Sequence, residues 1–394
     1  MRIAIDARRI RDFGVGTYIR NLLQALSEAA PQHEYELIAY PDDRQYFIGL
    51  PSNFRIHKDA RRDSSRWDHL DLPRLLHRIA PDVTHIPFHR VPLLIQKPYV
   101  VTIHDLSSLY YDDAKGLLHQ ARTFRLKRGI KRADRIICVS EATKRDTIDL
   151  CPSVADRTRL IYSAPDPEFF RHDLPHDARA AGPDAEARER ARILERYQIH
   201  YPFLLYAGSI RPHKNIPRLI EAFAVARATL EKTEEFKDLR LIVIGDDISL
   251  HPAVRRAVMH SRVEHCVRFL GYIPFGTLRV FHELATAFVF PSLYEGFGLP
   301  PLEAMASGTP VVASSVSSLP EVVGGAAHLV NPENVFDIAR GIAEVLLDKD
   351  LRAKLIVKGL IQAQRFNWQK TARAVLEVYE EVQREKAAPT RRSP

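Results

Sequence analysis

Ala287-Phe-Val-Phe290-Pro-Ser-Leu-Tyr-Glu295-Gly-Phe-Gly-Leu-Pro-Pro-Leu-Glu303 passes from an apolar run, through a Gly/Pro-rich turn, into the start of a helix. A short apolar run bounded by turn residues fits a strand buried on both faces. The helix is expected to open near Pro300 or Pro301, since a proline N–H would have no partner there in any case. A strand that feeds a helix through glycines leaves backbone N–H groups pointing outward, where they can hold sugar hydroxyls or phosphate. Glu295 stays on the loop and Glu303 falls in the first turns of the helix, so two carboxylates can address different parts of one ligand. In isolation such a pair is only a solvated helix cap; the surrounding sequence argues for a sugar nucleotide.

A second unit of the same kind starts at Phe203-Leu-Leu-Tyr206 and continues through Ala207-Gly-Ser-Ile-Arg-Pro-His-Lys-Asn215 to the helical pattern Pro217–Phe223. Arg211 and Lys214 leave this strand-to-helix turn, where two cations and a helix N-terminus can neutralise a diphosphate. Further strand candidates follow at 239–244, 267–270 and 310–313, and an earlier series lies at 2–5, 36–39, 83–86, 99–103 and 135–139. Helical stretches such as 18–30 and 70–79 fall between them. Alternation of this kind predicts parallel sheets covered on both faces, hence an α/β chain with two Rossmann-like domains. The length, 394 residues, agrees with two domains rather than one core. The expected division is a first domain over 1–170, a connection over 171–200 that is poor in large apolar residues, and a second domain over 201–371. Part of the connection, from Asp184 to Tyr197, reads as a short helix. An amphipathic helix over 372–386 and a disordered tail over 387–394 complete the chain.

Together these stretches resemble the retaining glycosyltransferases of family 4. The resemblance is carried by Gly14-Val-Gly16-Thr-Tyr18, Val139-Ser-Glu-Ala-Thr143, the Arg211/Lys214 turn, Phe269-Leu-Gly-Tyr272, Phe290-Pro-Ser, Glu295 to Glu303, Met305-Ala-Ser-Gly-Thr-Pro-Val311 and Leu319-Pro-Glu-Val322, in that order. It implies the GT-B fold, two Rossmann-like domains facing across a cleft, with the last helix crossing back onto the first domain. It implies hexose transfer from a sugar nucleotide with retention of configuration, mannose from GDP-mannose being the best guess, or a UDP-sugar. In this scheme Glu303 binds the ribose, Glu295 the donor sugar, and Tyr272 and the amides of Phe297, Gly298 and Leu299 support the donor. Arg211 and Lys214 hold the diphosphate in place of a metal, which is electrostatic stabilisation of the leaving group. No carboxylate stands out as a covalent nucleophile, so same-face attack is expected.

The resemblance also draws on the first domain. Gly14 and Gly16 are expected to let the backbone approach the phosphates, although position 19 is Ile and a dinucleotide fingerprint would need a small residue there. His104, at the end of strand 99–103, is expected to face the donor sugar, and Asp105 to orient it or touch the acceptor. The family's Gly-Val-Asp turn is replaced here by Ser163-Ala-Pro-Asp166.

Composition narrows the setting. Hydrophobic content of 45% and charged content of 27% are those of a globular chain. Three cysteines, Cys138, Cys151 and Cys266, lack metal-ligand spacing and suit a reducing cytoplasm. The sequence opens without the apolar core of a signal peptide, and no apolar run reaches the roughly 20 residues of a bilayer span. The formal charge of +8 is concentrated in two places, 55–78 and Arg122–Arg135. Such faces are either ordinary solvated helix surface or, since they attract anionic lipid head groups and lipid-linked pyrophosphates, the membrane contact of a peripheral enzyme acting on a glycan or lipid-linked glycan. No nucleic-acid module is present in the sequence. Neither cofactor nor metal is called for, the sugar nucleotide being a substrate. Competing readings are a sugar-nucleotide epimerase or isomerase on the same scaffold, a non-catalytic binding subunit, and an NAD oxidoreductase, which the incomplete glycine motif disfavours.

Overall fold

The computed structural model describes residues 1–59, 63, 65, 67–111, 116–173 and 183–387. The chain forms two compact units: Met1–Ala164 with the segment from Phe366 onward, and Pro165–Arg365. The tail predicted over 387–394 lies, beyond its first residue, outside the described residues, as does the 174–182 part of the predicted connection.

The first unit holds a seven-stranded sheet: β1 (Arg2–Asp6), β2 (Glu34–Ala39), β3 (Phe54–Lys58), β4 (Val83–Ile86), β5 (Tyr99–Ile103), β6 (Arg135–Cys138) and β7 (Thr158–Leu160). Their spatial order is β3-β2-β1-β4-β5-β6-β7, and every pair is parallel. Helical segments separate the strands except β4 and β5, which a loop joins, and inner strands such as Val83–Ile86 and Tyr99–Ile103 are buried throughout. The helix Phe13–Ala29 packs against the last helix, Trp368–Ala387, and both contribute to one apolar cluster with Ile3, Ile5, Leu37 and Val100. Polar bonds hold that last helix to the unit: Thr371 donates to the Tyr162 carbonyl at 2.8 Å, and Arg135 and Arg159 both reach Glu381, at 2.8 and 2.9 Å.

The second unit holds six parallel strands, β8 (Phe203–Ala207), β9 (Arg240–Ile244), β10 (Val267–Gly271), β11 (Ala287–Phe290), β12 (Val311–Ser314) and β13 (His328–Val330). Their order is β10-β9-β8-β11-β12-β13. The helix Pro183–Tyr197 forms within the predicted connection, and it is tied to this unit by ion pairs from Arg190 to Glu283 and from Glu189 to Arg279. Three strands were not anticipated from sequence: β3, β7 and β13. Each is an edge strand of its sheet; β3 and β13 expose residues such as Arg55, Ile56 and Leu329, and β7 is a three-residue strand that is only partly buried. No continuous apolar run marks them.

Candidate functional site

In the second unit β8 has β9 on one side and β11 on the other. The connections leaving β8 and β11 therefore diverge, and in parallel sheets the crevice at such a switch point, beyond the carboxyl ends of the strands, is where ligands bind. Lys214 follows β8 and Glu295 follows β11, 81 residues apart in sequence, and the structure brings them into contact. The Lys214 ammonium donates to both carboxylate oxygens of Glu295, at 2.7 and 2.8 Å. Their side chains are only 15% and 9% exposed. Lys214 also lies over the Phe290 ring, 5.3 Å from its centroid, and Phe290 stacks on the buried Tyr206. Burial pushes the Tyr206 phenol well above its ordinary range, an effect that Glu295 and Asp246 reinforce.

Arg211, on the same turn, is exposed, and its guanidinium makes no ion pair among the described residues. The turn itself is built by Asn215, which is 4% exposed and holds a left-handed backbone at φ 62°. Its amide donates to the carbonyls of Pro291 (3.0 Å) and Pro332 (2.7 Å). One buried side chain thus ties the loops after β8, β11 and β13 together. On the other side, Asp246 accepts the Ile210 N–H at 2.8 Å. Gly245 is required because a Cβ there would sit 2.0 Å from the Gly208 carbonyl oxygen.

The Glu295–Leu299 turn is anchored from the loop after β12. Ser317 donates to the Glu295 carbonyl at 2.7 Å, and Ser318 donates to the carbonyls of Glu295 (2.9 Å) and Phe297 (2.7 Å). Gly298 adopts φ 117°, and a Cβ there would meet Leu319 at 2.7 Å. The helix starts at Leu299, with Glu303 half-buried in its second turn and Phe297 buried just before it. Tyr272, immediately after β10 on the same edge of the sheet, is 76% exposed.

In the first unit the strand order reverses between β1 and β4, and His104 and Asp105 follow the next strand, β5. His104 Nε2 donates to the Pro87 carbonyl at 2.9 Å, which fixes the proton on that nitrogen and leaves Nδ1 as an acceptor. Burial holds this imidazole down at about 4, against opposing pulls from the Pro87 carbonyl and Asp105. Its ring packs edge-on against Tyr18, centroids 4.8 Å apart. Asp105 caps the following turn, accepting the Ser107 N–H at 2.8 Å and its hydroxyl at 2.5 Å.

The two glycines of the first unit stand differently from their sequence expectation. Gly14 and Gly16 belong to the helix Phe13–Ala29 rather than to a turn before it. A Cβ at Gly16 would lie 2.3 Å from the Ile10 carbonyl oxygen, so the close approach that needs glycine here is made by the chain's own loop. That loop is held by Arg8, fully buried, which pairs with Asp6 at 2.6 Å, Asp68 at 2.5 Å and Asp59 at 3.2 Å. Gly14 is exposed in the first helical turn.

Sequence reasoning did not single out Asn215, Asp246, Ser317, Ser318 or Tyr206. An Asn directly before a helix-opening Ile-Pro pair was a signal for a left-handed cap, but its partners at 291 and 332 leave no local trace. Among the described residues, no group of three or more His, Cys, Asp or Glu side chains is placed to hold a metal ion, and no helix is long and apolar enough to cross a membrane.

Comparison with known proteins agrees with this layout. Residues 14–169 match the Glycosyltransferase Family 4 domain and residues 190–362 the Glycosyl transferases group 1 domain. O-antigen chain mannosyltransferase B of Escherichia coli is 31% identical over 305 residues, covering 75% of this chain and 74% of that protein. Serotype-specific mannosyltransferase WbdA of Escherichia coli is 32% identical over 247 residues, covering 63% of this chain but only 29% of that longer protein. Among solved structures, sucrose-phosphate synthase from Thermosynechococcus elongatus superposes with a TM-score of 0.76 at 21% identity, covering 98% of this chain and 100% of that one. The fold is of the GT-B type, with two Rossmann-like units. With both family domains matched in order and a relative aligned along three-quarters of its length, the chain belongs to glycosyltransferase family 4.

Proposed function

We propose that the chain is a retaining hexosyltransferase that moves mannose from GDP-mannose to a glycan or lipid-linked glycan. The observation that carries this reading is the meeting of Lys214 and Glu295 at the switch point of the second sheet, 2.7 Å apart and largely buried. The mannose assignment draws on the two Escherichia coli relatives, each named a mannosyltransferase; a UDP-sugar would suit the same residues.

In this reading the diphosphate lies against Arg211 and Lys214, whose charges stabilise the leaving group as the sugar–phosphate bond breaks, so that no metal is needed. Glu303 takes the ribose hydroxyls. Glu295 takes hydroxyls of the sugar, with the amides of Phe297, Gly298 and Leu299 beside it, and Tyr272 supports the donor. From the first unit, the first turn of the Phe13–Ala29 helix, bearing Gly14 and Gly16, serves the phosphates through its free N–H groups. His104 presents Nδ1 as an acceptor to a sugar hydroxyl, and Asp105 lies on the acceptor side. The acceptor hydroxyl attacks from the face that the diphosphate leaves, passing its proton to a phosphate oxygen. Incubation with a panel of sugar nucleotides and lipid-linked glycans, following nucleoside diphosphate release and the anomeric configuration of the product, tests this. Absence of turnover with every donor would remove the transferase reading, and conversion of donor without acceptor would mark an isomerase.

The reading extends to a peripheral position on the cytoplasmic face of a membrane. The helix Leu117–Arg132 carries Arg122, Arg125, Lys127, Arg128, Lys131 and Arg132 and no acidic residue. Leu126 and Ile130 face inward, whereas Phe124 is 63% exposed among these cations, a combination suited to anionic head groups. Neutralising Arg125, Lys127, Arg128 and Lys131 should abolish partitioning onto anionic vesicles; unchanged partitioning would exclude this face.

A further inference from the structure

The contact between Lys214 and Glu295 does more than bring two ligand-binding groups close. A lysine ammonium has three donors, and Glu295 occupies two of them with both of its oxygens. The ring of Phe290 covers another side of the ammonium at 5.3 Å. In this contact the best-buried cation of the turn is neutralised, and the positive charge left on the turn is that of the exposed Arg211.

We infer that Lys214 is exchanged between Glu295 and the diphosphate, and that this exchange couples recognition of the phosphates to recognition of the sugar. The inference rests on the assignment of a sugar nucleotide to this site. A diphosphate draws the ammonium toward itself and meets repulsion from the carboxylate. Once Lys214 leaves, Glu295 is a buried carboxylate that has lost its partner, a costly state unless other donors replace the lysine. Sugar hydroxyls are such donors. An intact sugar nucleotide supplies both halves of the exchange, whereas a free nucleoside diphosphate supplies only the first and leaves Glu295 unsatisfied. Glu295 thereby acts as an internal competitor against the diphosphate alone, which favours release of the product nucleotide after transfer.

The sign of one substitution separates this role from that of a simple sugar ligand. Glu295→Gln keeps the shape and removes the charge, so GDP and UDP binding, measured by titration calorimetry, should tighten by roughly fivefold or more, the lower end of ordinary coupling between sites. Lys214→Met should weaken the same titrations. The preference for GDP-mannose or UDP-glucose over the matching free diphosphate should shrink in Glu295→Gln. Glu295→Ala is the second variant, and whichever retains the native circular dichroism and melting profile decides the matter. If the parent protein binds GDP or UDP but neither variant binds it more tightly, the exchange is refuted while the sugar-nucleotide site stands. If the parent binds none of the four nucleotides, the site assignment itself falls, and the exchange with it.

Discussion

Replacing Asn215 by alanine should loosen the donor-side loops from one another, because this residue serves three of them at once. Its amide satisfies the carbonyls of Pro291 and Pro332, its carbonyl oxygen accepts from Arg218 at 3.1 Å, and its backbone stands at φ 62°. Loss of two buried hydrogen bonds removes about 1 kcal/mol each, with further cost for any carbonyl left dry. An alanine in the left-handed region adds about 1 kcal/mol. The expected total is about 3 kcal/mol, or roughly a hundredfold in a local opening equilibrium. Asn215→Gly removes the same bonds but tolerates the backbone, and should lose about 1 kcal/mol less. Both tryptophans, Trp67 and Trp368, belong to the first unit, so their fluorescence does not report on this region. Hydrogen exchange read by mass spectrometry on peptides covering 208–215 and 287–295 is the suitable assay. Parent-like protection in Asn215→Ala would refute the claim that this side chain ties the loops together. Equal losses in the alanine and glycine variants would refute the backbone part of it.

Gly298→Ala must place a methyl group 2.7 Å from Leu319 at φ 117°, and a destabilisation of about 2–4 kcal/mol is expected; far-UV circular dichroism melts that coincide with the parent would contradict it. Tyr379→Phe removes the 2.6 Å bond to Nδ1 of the fully buried His85, costing about 1–3 kcal/mol. Here the tryptophans do report, and an unshifted urea midpoint would show that His85 is satisfied by its 2.7 Å bond to Thr102 alone. Burial holds His85 at about 3, His104 at about 4 and His282 at about 3. Below the unfolded value near 6.5 the unfolded chain binds these protons and the folded chain does not, so stability falls as pH drops from there toward 4. Burial raises Asp68 to about 6, which takes up a proton in the folded state over part of that window and offsets one histidine. For these four groups alone the net of about two protons corresponds to about 2.7 kcal/mol per pH unit between pH 4 and 5. Denaturant unfolding at pH 7, 5.5 and 4.5 checks this, and equal stability at all three would contradict it.

Much of the architecture could be read from the chain because the inner strands of parallel sheets are buried on both faces. Ala287–Phe290 is an uninterrupted apolar run, while Val83–Ile86 and Tyr99–Ile103 are rich in β-branched residues, and all three form strands with those boundaries. The turns after β8 and β11 were legible for a related reason, since Gly, Pro and Asn have few uses at the end of a strand other than to bend the backbone into a helix. The edge strands β3, β7 and β13 could not be read, because solvent on one side removes the need for an apolar run.

The amino-acid order alone determined which segments become the inner strands, which turns open helices, and which acids and cations stand at the strand ends, since each of these follows from burial or backbone geometry within a few residues. The tertiary structure decided which strands become neighbours. It is the adjacency of β8 and β11 that puts Lys214 on Glu295 and Asn215 beneath the Pro291 carbonyl, the seating of the loop after β13 that brings the Pro332 carbonyl to the same amide, and the folding of a loop back on its helix that sets the Ile10 carbonyl against Gly16. Sheet order arises from the packing of whole helices and strands, and a charge at one position carries no local record of the partner that this packing will bring to it.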